Sequence, residues 1–145
     1  MSRERIVADA VAALGADLGI PALALDASRR ASFCYDGVQF TLSYATEPAE
    51  VLWLYVDLGD VEADNPQMLQ CLMQMGYATW FGNCMTIGLN EAGERGIGSS
   101  GIPVVWLNPD RLTQLVKRML AAAAEVRERL TTGHSEPVWE LMSLQ

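Results

Sequence analysis

The side chains able to do chemistry are few: one histidine, His134, three cysteines, Cys34, Cys71 and Cys84, and a run of carboxylates at Asp57, Asp60, Glu62 and Asp64. Catalysis or metal binding needs such groups at spacings that bring them together. The cysteines contain no CxxC pair and, with one histidine, no finger-like zinc spacing. His134 falls in a polar segment after the last helical pattern, where a solvated imidazole is the simpler reading. Cys34 sits in a strand pattern and Cys71 and Cys84 in apolar segments, where a free thiol behaves as a small hydrophobe. The carboxylates lack EF-hand spacing. "GERGIGSSG", beginning at Gly93, is glycine-rich but has no GK[ST] ending, so it is not a phosphate loop. The expectation is therefore a chain without catalytic residues, cofactor or metal. A small enzyme using Cys34 or the acidic cluster is the minor alternative.

Composition points the same way. The 145 residues suit one domain, and half of them are apolar, which excludes a disordered chain. The formal charge is -8, and from Arg30 to Arg95 there is no other Lys or Arg while nine Asp and Glu fall in the gap. Such a surface repels phosphate, so neither nucleic acid nor an anionic membrane is the expected ligand. An odd cysteine count fits a reducing cytoplasm. Asp9 and Asp17 interrupt the N-terminal apolar residues, which therefore do not read as a signal peptide.

Against this acidity, Asn65 to Asn90 contains no charged residue at all, and it holds Met68, Met73, Met75, Met85, Cys71 and Cys84. Gln67, Gln70, Gln74, Gly76, Gly82 and Asn83 break it too often for a membrane span, so no membrane insertion is expected. It asks for a covering surface.

The elements that must position these residues follow from periodicity. Ile6, Ala10, Leu14 and Leu18, with Val7 and Val11 beside them, predict an amphipathic helix from about Arg3 to Leu18, capped by Ser2 and stopped by Gly19 and Pro21. "ASFCYDGVQFTLSY" predicts a hairpin turning at Asp36-Gly37, which pairs Tyr35 with Val38, Phe33 with Phe40 and Ala31 with Leu42. "VLWLYVDL" is a third strand. If the loop folds symmetrically about Glu47 and Pro48, Leu42 meets Trp53, and Trp53 and Tyr55 join the core; Leu52, Leu54 and Val56 then form an apolar ridge on the polar side. A slip by one residue exchanges the two sets. Asn65-Pro66 and Asn108-Pro109 open two further helices. On the last of these Leu112, Leu115, Val116, Met119, Ala123, Val126 and Leu130 form the apolar face. Two strands lie between the helices, and "IPVVWL" is a possible third. The expected fold is α+β, a single domain over residues 1–133 with an antiparallel sheet and three helices in the order α-β-β-β-α-β-β-α, followed by a tail at 134–145.

That order, with "LGIP", "ALALD", the hairpin, "VLWLYVDLGDV", the segment from Asn65 to Glu94 and "LNPDRLTQLVKRML", resembles the class I type III secretion chaperones, the CesT/SycE-like family of Gram-negative bacteria. The resemblance covers roughly residues 3 to 130. It implies a cytoplasmic homodimer without catalysis, holding the N-terminal region of a secreted effector protein in extended form and presenting it to the secretion apparatus. It also implies a dimer interface on the second helix and the strand after it, with Met68, Leu72, Met75, Trp80, Met85 and Ile87 as its residues. Methionine adapts to irregular gaps, which suits such a surface. For the effector, the candidates are Leu52, Leu54 and Val56 on the ridge, with Val7 and Val11 on the first helix; the latter two fit a core equally. A regulatory or adaptor protein that uses the same fold outside secretion is the alternative.

Overall fold

Each of the three α-helices among the described residues starts where the sequence supplies a cap. In the computed structural model, which describes residues 2–81 and 85–132 except for the side chains of 80 and 81, the Ser2 hydroxyl accepts from the Arg5 N–H at 3.2 Å and opens α1 (Arg3–Leu18). Gly19 closes it in the left-handed conformation at φ 72°, where a residue without Cβ is favoured. Asn65 Oδ1 accepts from Met68 N at 3.2 Å at the head of α2 (Pro66–Phe81). Asn108 does the same for Arg111 N at 2.9 Å at the head of α3 (Pro109–Thr132). The strands are β1 (Arg30–Tyr35), β2 (Val38–Ala45), β3 (Val51–Asp60), β4 (Thr86–Leu89) and β5 (Arg95–Pro103). They form one antiparallel sheet in the order β1-β2-β3-β5-β4, so the fold is α+β with three helices as expected. The extra strand allowed for at "IPVVWL" is instead a short 3-10 helix at Val104–Trp106.

Two compact units are distinguishable, one of Met1–Tyr55 with Ser100–Lys117 and the other of Val56–Ser99 with Arg118–Gln145; β3, β5 and α3 run through both. In the first, the hairpin takes the predicted register, Tyr35 opposite Val38, Phe33 opposite Phe40 and Ala31 opposite Leu42. The Phe33 and Phe40 rings stack with centroids 5.3 Å apart. The α1 residues Val7, Ala10, Val11, Leu14 and Gly15 are buried. Thr113 on α3 donates to Asp17 of α1 at 2.9 Å. In the second unit, α2 buries Cys71, Leu72, Met75, Ala78 and Thr79 at helical spacing, and α3 buries Met119, Ala123, Val126 and Leu130. Gly98 of β5 is closely packed: a Cβ there would stand 2.5 Å from Met85 Sδ and 2.9 Å from Val56 Cγ1.

The third strand overturns one expectation. Leu52, Leu54, Val56 and Leu58 are all buried to 1% exposure or less, so they are core and not an exposed ridge. Val51, Trp53 and Tyr55 take the opposite, half-buried face, where the Trp53 and Tyr55 rings stack at 6.5 Å. The two sets of side chains have exchanged faces relative to the symmetric loop. The reason lies one position further along: Asp57 shares parity with Trp53 and Tyr55, so placing that set inside would bury a carboxylate, whereas the even set adds Leu58.

Asp57 is used on its own face. Its carboxylate takes Arg95 in a two-pronged contact, Nε to Oδ1 at 3.1 Å and Nη2 to Oδ2, while Arg95 Nη1 reaches Asp60 at 2.6 Å. Gly59, at φ 99°, bends β3 so that its N–H donates to Asp57 Oδ1 at 2.9 Å. Burial alone would raise the Asp57 carboxyl. The Arg95 hydrogen bonds, the Gly59 N–H and the charges of Arg95 and Arg127 outweigh it and hold the group below the ordinary value of 3.8.

Two outcomes follow for stability. Leu54→Ala, by deleting a fully buried side chain, lowers unfolding free energy in urea by about 2–5 kcal/mol, where an exposed ridge residue would cost almost nothing. The Asp57 contribution is complete above pH 3.8 and is lost as pH falls below that value through the folded-state pKa. Asp57→Asn therefore flattens the fall in urea midpoint over that acid range, relative to wild type.

Candidate functional site

In the first unit α1 and the irregular stretch after it enclose a groove of about 400 Å³, within the size range of ligand sites. Val7 and Tyr44 form its buried floor. Ala8 and Ala12, one helical turn apart on α1, leave room on one wall; Leu23, Ala24 and Leu25 form the other. Glu4 and Arg29 stand at the rim. The Arg29 guanidinium lies over the Tyr44 ring at 5.6 Å and donates to Thr46 Oγ1 at 3.2 Å. Burial, then the charges of Glu50 and Glu4, push the Tyr44 phenol above its ordinary value of 10.0, against the opposing Arg29 and Arg3. Tyr44 therefore stays neutral and the floor stays apolar. Groove and rim together can take an apolar side chain and offer a charged contact beside it.

The second unit exposes apolar surface on α2 and β4. Met73 is 77% exposed, Tyr77 52% and Leu89 42%, far more than such side chains usually are. Met73 and Tyr77 are one helical turn apart, on the stretch where α2 also exposes Pro66 and Gln70. In the first unit Val105 and Trp106 of the 3-10 helix are likewise exposed.

The predicted residues distribute as follows. Leu52, Leu54 and Val56 belong to the core. Val7 and Val11 are both buried; Val7 forms part of the groove floor, whereas Val11 does not line it. Leu72, Met75 and Met85 are buried inside the chain by their own neighbours and are withdrawn from a second copy. Met68 and Ile87 are half-exposed, and the Trp80 side chain lies outside the described residues. Cys84, His134 and the tail at 134–145 also lie outside them. Sequence reasoning missed Tyr44, Arg29, Leu23, Leu25, Ala8 and Ala12. The signal for the last two was present: alanines four apart on the flank of an amphipathic helix mark a shallow wall.

Asp57 and Asp60 hold Arg95. Cys71 is buried, and burial pushes its thiol up, with Arg129 opposing. Cys34 is exposed on the edge strand β1. Among the described residues no three of His, Cys, Asp and Glu gather closely enough to hold a metal ion, and no helix is long and apolar enough to cross a membrane.

No curated protein sequence matches the chain. Among solved structures it is similar to a chain of the ExsC–ExsE complex, with a TM-score of 0.77 at 21% identity over 90% of this chain and 97% of that one. A chain of the HopA1–SchA chaperone–effector complex gives 0.71 at 22% identity, over 85% and 94%. One from the ExoT–SpcS complex of Pseudomonas aeruginosa gives 0.56 at 19%, over 83% and 96%. At these identities the likeness establishes the fold. The model of the Tir chaperone protein (CesT) family matches residues 9–127, from the middle of α1 almost to the end of α3, and the protein belongs to that family.

Proposed function

We propose that this protein is a non-catalytic chaperone of type III secretion that binds the N-terminal region of an effector in extended form. It acts in the cytoplasm of a Gram-negative bacterium, as a homodimer, and hands its client to the secretion apparatus. The observation that carries this reading is the apolar groove beside α1, found in a chain of a chaperone family whose structural neighbours include chaperone–effector complexes.

The physical chemistry of holding an unfolded client fits that surface. One leucine moved from water into an apolar site gains about 1.5–3 kcal/mol, and ordering a flexible segment costs about 2–5 kcal/mol or more. A micromolar complex needs about 8 kcal/mol net. A single groove is therefore too little by itself, and the client has to be gripped at several places along an extended path. The outer edge of β1, which ends the strand order, is one, since an extended segment can add main-chain hydrogen bonds to a sheet edge. The groove supplies an anchor in the same unit.

Dimerisation accounts for the α2–β4 surface. Covering Met73, Tyr77 and Leu89 with the same residues of a second copy, by a two-fold axis, removes them from water. Met68 and Ile87 from the original interface set can join them at partial burial. Leu72, Met75 and Met85 act from beneath, by holding α2 in place.

The groove is tested by Ala12→Glu. Ala12 is exposed, so the variant keeps its circular dichroism and melting temperature. Burying a carboxylate against the apolar floor costs enough to reduce capture of a co-expressed effector N-terminal region about tenfold or more. Undiminished capture would remove the groove from the client path.

A further inference from the structure

Arg29 is held in place more firmly than a surface arginine needs. Its backbone adopts φ 63°, a left-handed conformation that costs an L residue about 1–2 kcal/mol. The turn around it is locked. Asp26 Oδ1 accepts from Ser28 N at 2.8 Å and Arg30 N at 3.0 Å, Arg29 N donates to Asp26 O at 2.9 Å, and Tyr44 N donates to Arg29 O at 3.0 Å. The side chain is fixed as well, over Tyr44 and on Thr46. What this arrangement delivers is a cation at the mouth of an apolar groove.

Its counter-charge is loosely held. Glu4 Oε1 stands 3.8 Å from Arg29 Nη2, beyond hydrogen-bonding distance, and the Glu4 side chain is 75% exposed. Asp26 does not compete, because its Oδ1 serves its own turn. Arg29 thus keeps N–H donors for a carboxylate arriving with a ligand, and a charge-assisted pair formed over the covered groove is stronger than one in open water.

We propose that Arg29 sets the selectivity of this groove, pairing with an acidic side chain that flanks the apolar anchor of the bound segment. The inference rests on the reading of the groove as a client site and adds the chemistry of its preferred occupant. Lysine at the same place meets a like charge and is disfavoured. The negative charge of the whole chain acts against an acidic segment at long range, but it is screened beyond about 8 Å at physiological salt. Contact with Arg29 therefore decides.

The test uses the full chain and a positional-scanning set of labelled extended peptides. Each has a fixed leucine, or alanine as control, with Asp, Asn or Lys at the flanking positions, and binding is read by fluorescence anisotropy. Wild type binds the best Asp peptide about five- to tenfold more tightly than its Lys counterpart. Arg29→Asn, which tolerates the left-handed backbone while removing the cation, erases the difference. Glu4→Gln, at an exposed site, widens it, and supplies the answer even if the first variant folds poorly. Leucine-dependent binding with no Asp preference in wild type overturns the role of Arg29 and leaves the groove standing. A preference unchanged in Arg29→Asn overturns it too. Absence of leucine-dependent binding by any peptide removes the groove and this inference together.

Discussion

The interaction on which the structure depends is the one-sided burial of β3. Leu52, Leu54, Val56 and Leu58 are sealed, while the alternate residues stay half-exposed with Asp57 among them. Because side chains alternate along a strand, that choice is made once for the whole element and cannot be made residue by residue. It orients Asp57 toward Arg95, and Val56 and Leu58 into the space left by Gly98 and Gly96. The helices carry their own signals. Their caps fix where each begins, and their apolar stripes fix which side turns inward.

A chain that covers one face this fully still has apolar residues left over, and where they lie determines what it can do. On α2 the buried stripe is Cys71, Leu72, Met75 and Ala78, which leaves Met73 and Tyr77 pointing away from it. On α1 the buried stripe is Val7, Ala10, Val11 and Leu14, and the alanines at its flank leave a groove where a larger side chain would have filled the space. In the function proposed above, both are surfaces for another polypeptide, one suited to a second copy and the other to a side chain of an extended client. Several ionisable groups, by contrast, are spent on structure: Arg95 on Asp57 and Asp60, Arg129 on Glu125.

Much of this was legible in the residues. The turn at Asp36-Gly37 specified the β1–β2 register, because only one closure also puts Phe33, Phe40 and Leu42 on one face. The apolar positions expected on α3 are the buried ones, because a long helix with a charged face has one way to lie. The inward face of β3 was not read correctly, since both of its faces are apolar as far as Val56 and the loop around Pro48 is no standard turn; Asp57 and Leu58 carried the answer. The dimer residues were chosen for being apolar in a charge-free run, which cannot separate Met75 from Met73. Their different burial depends on which side of α2 its neighbours cover, a tertiary fact. The groove was hidden for the same reason: Tyr44 and Arg29 are joined to α1 by the return of the chain after Gly19, a path that no periodicity records.

The account comes down to whether apolar residues left outside one copy are covered by another. Light scattering coupled to size exclusion, on the purified chain at micromolar concentration, measures this directly. A mass of twice the 15.8 kDa chain, falling toward 15.8 kDa in a Met73→Asp, Tyr77→Asp variant that keeps its helical signal, is the predicted result. A wild-type chain that runs as a stable 15.8 kDa monomer at that concentration would contradict it.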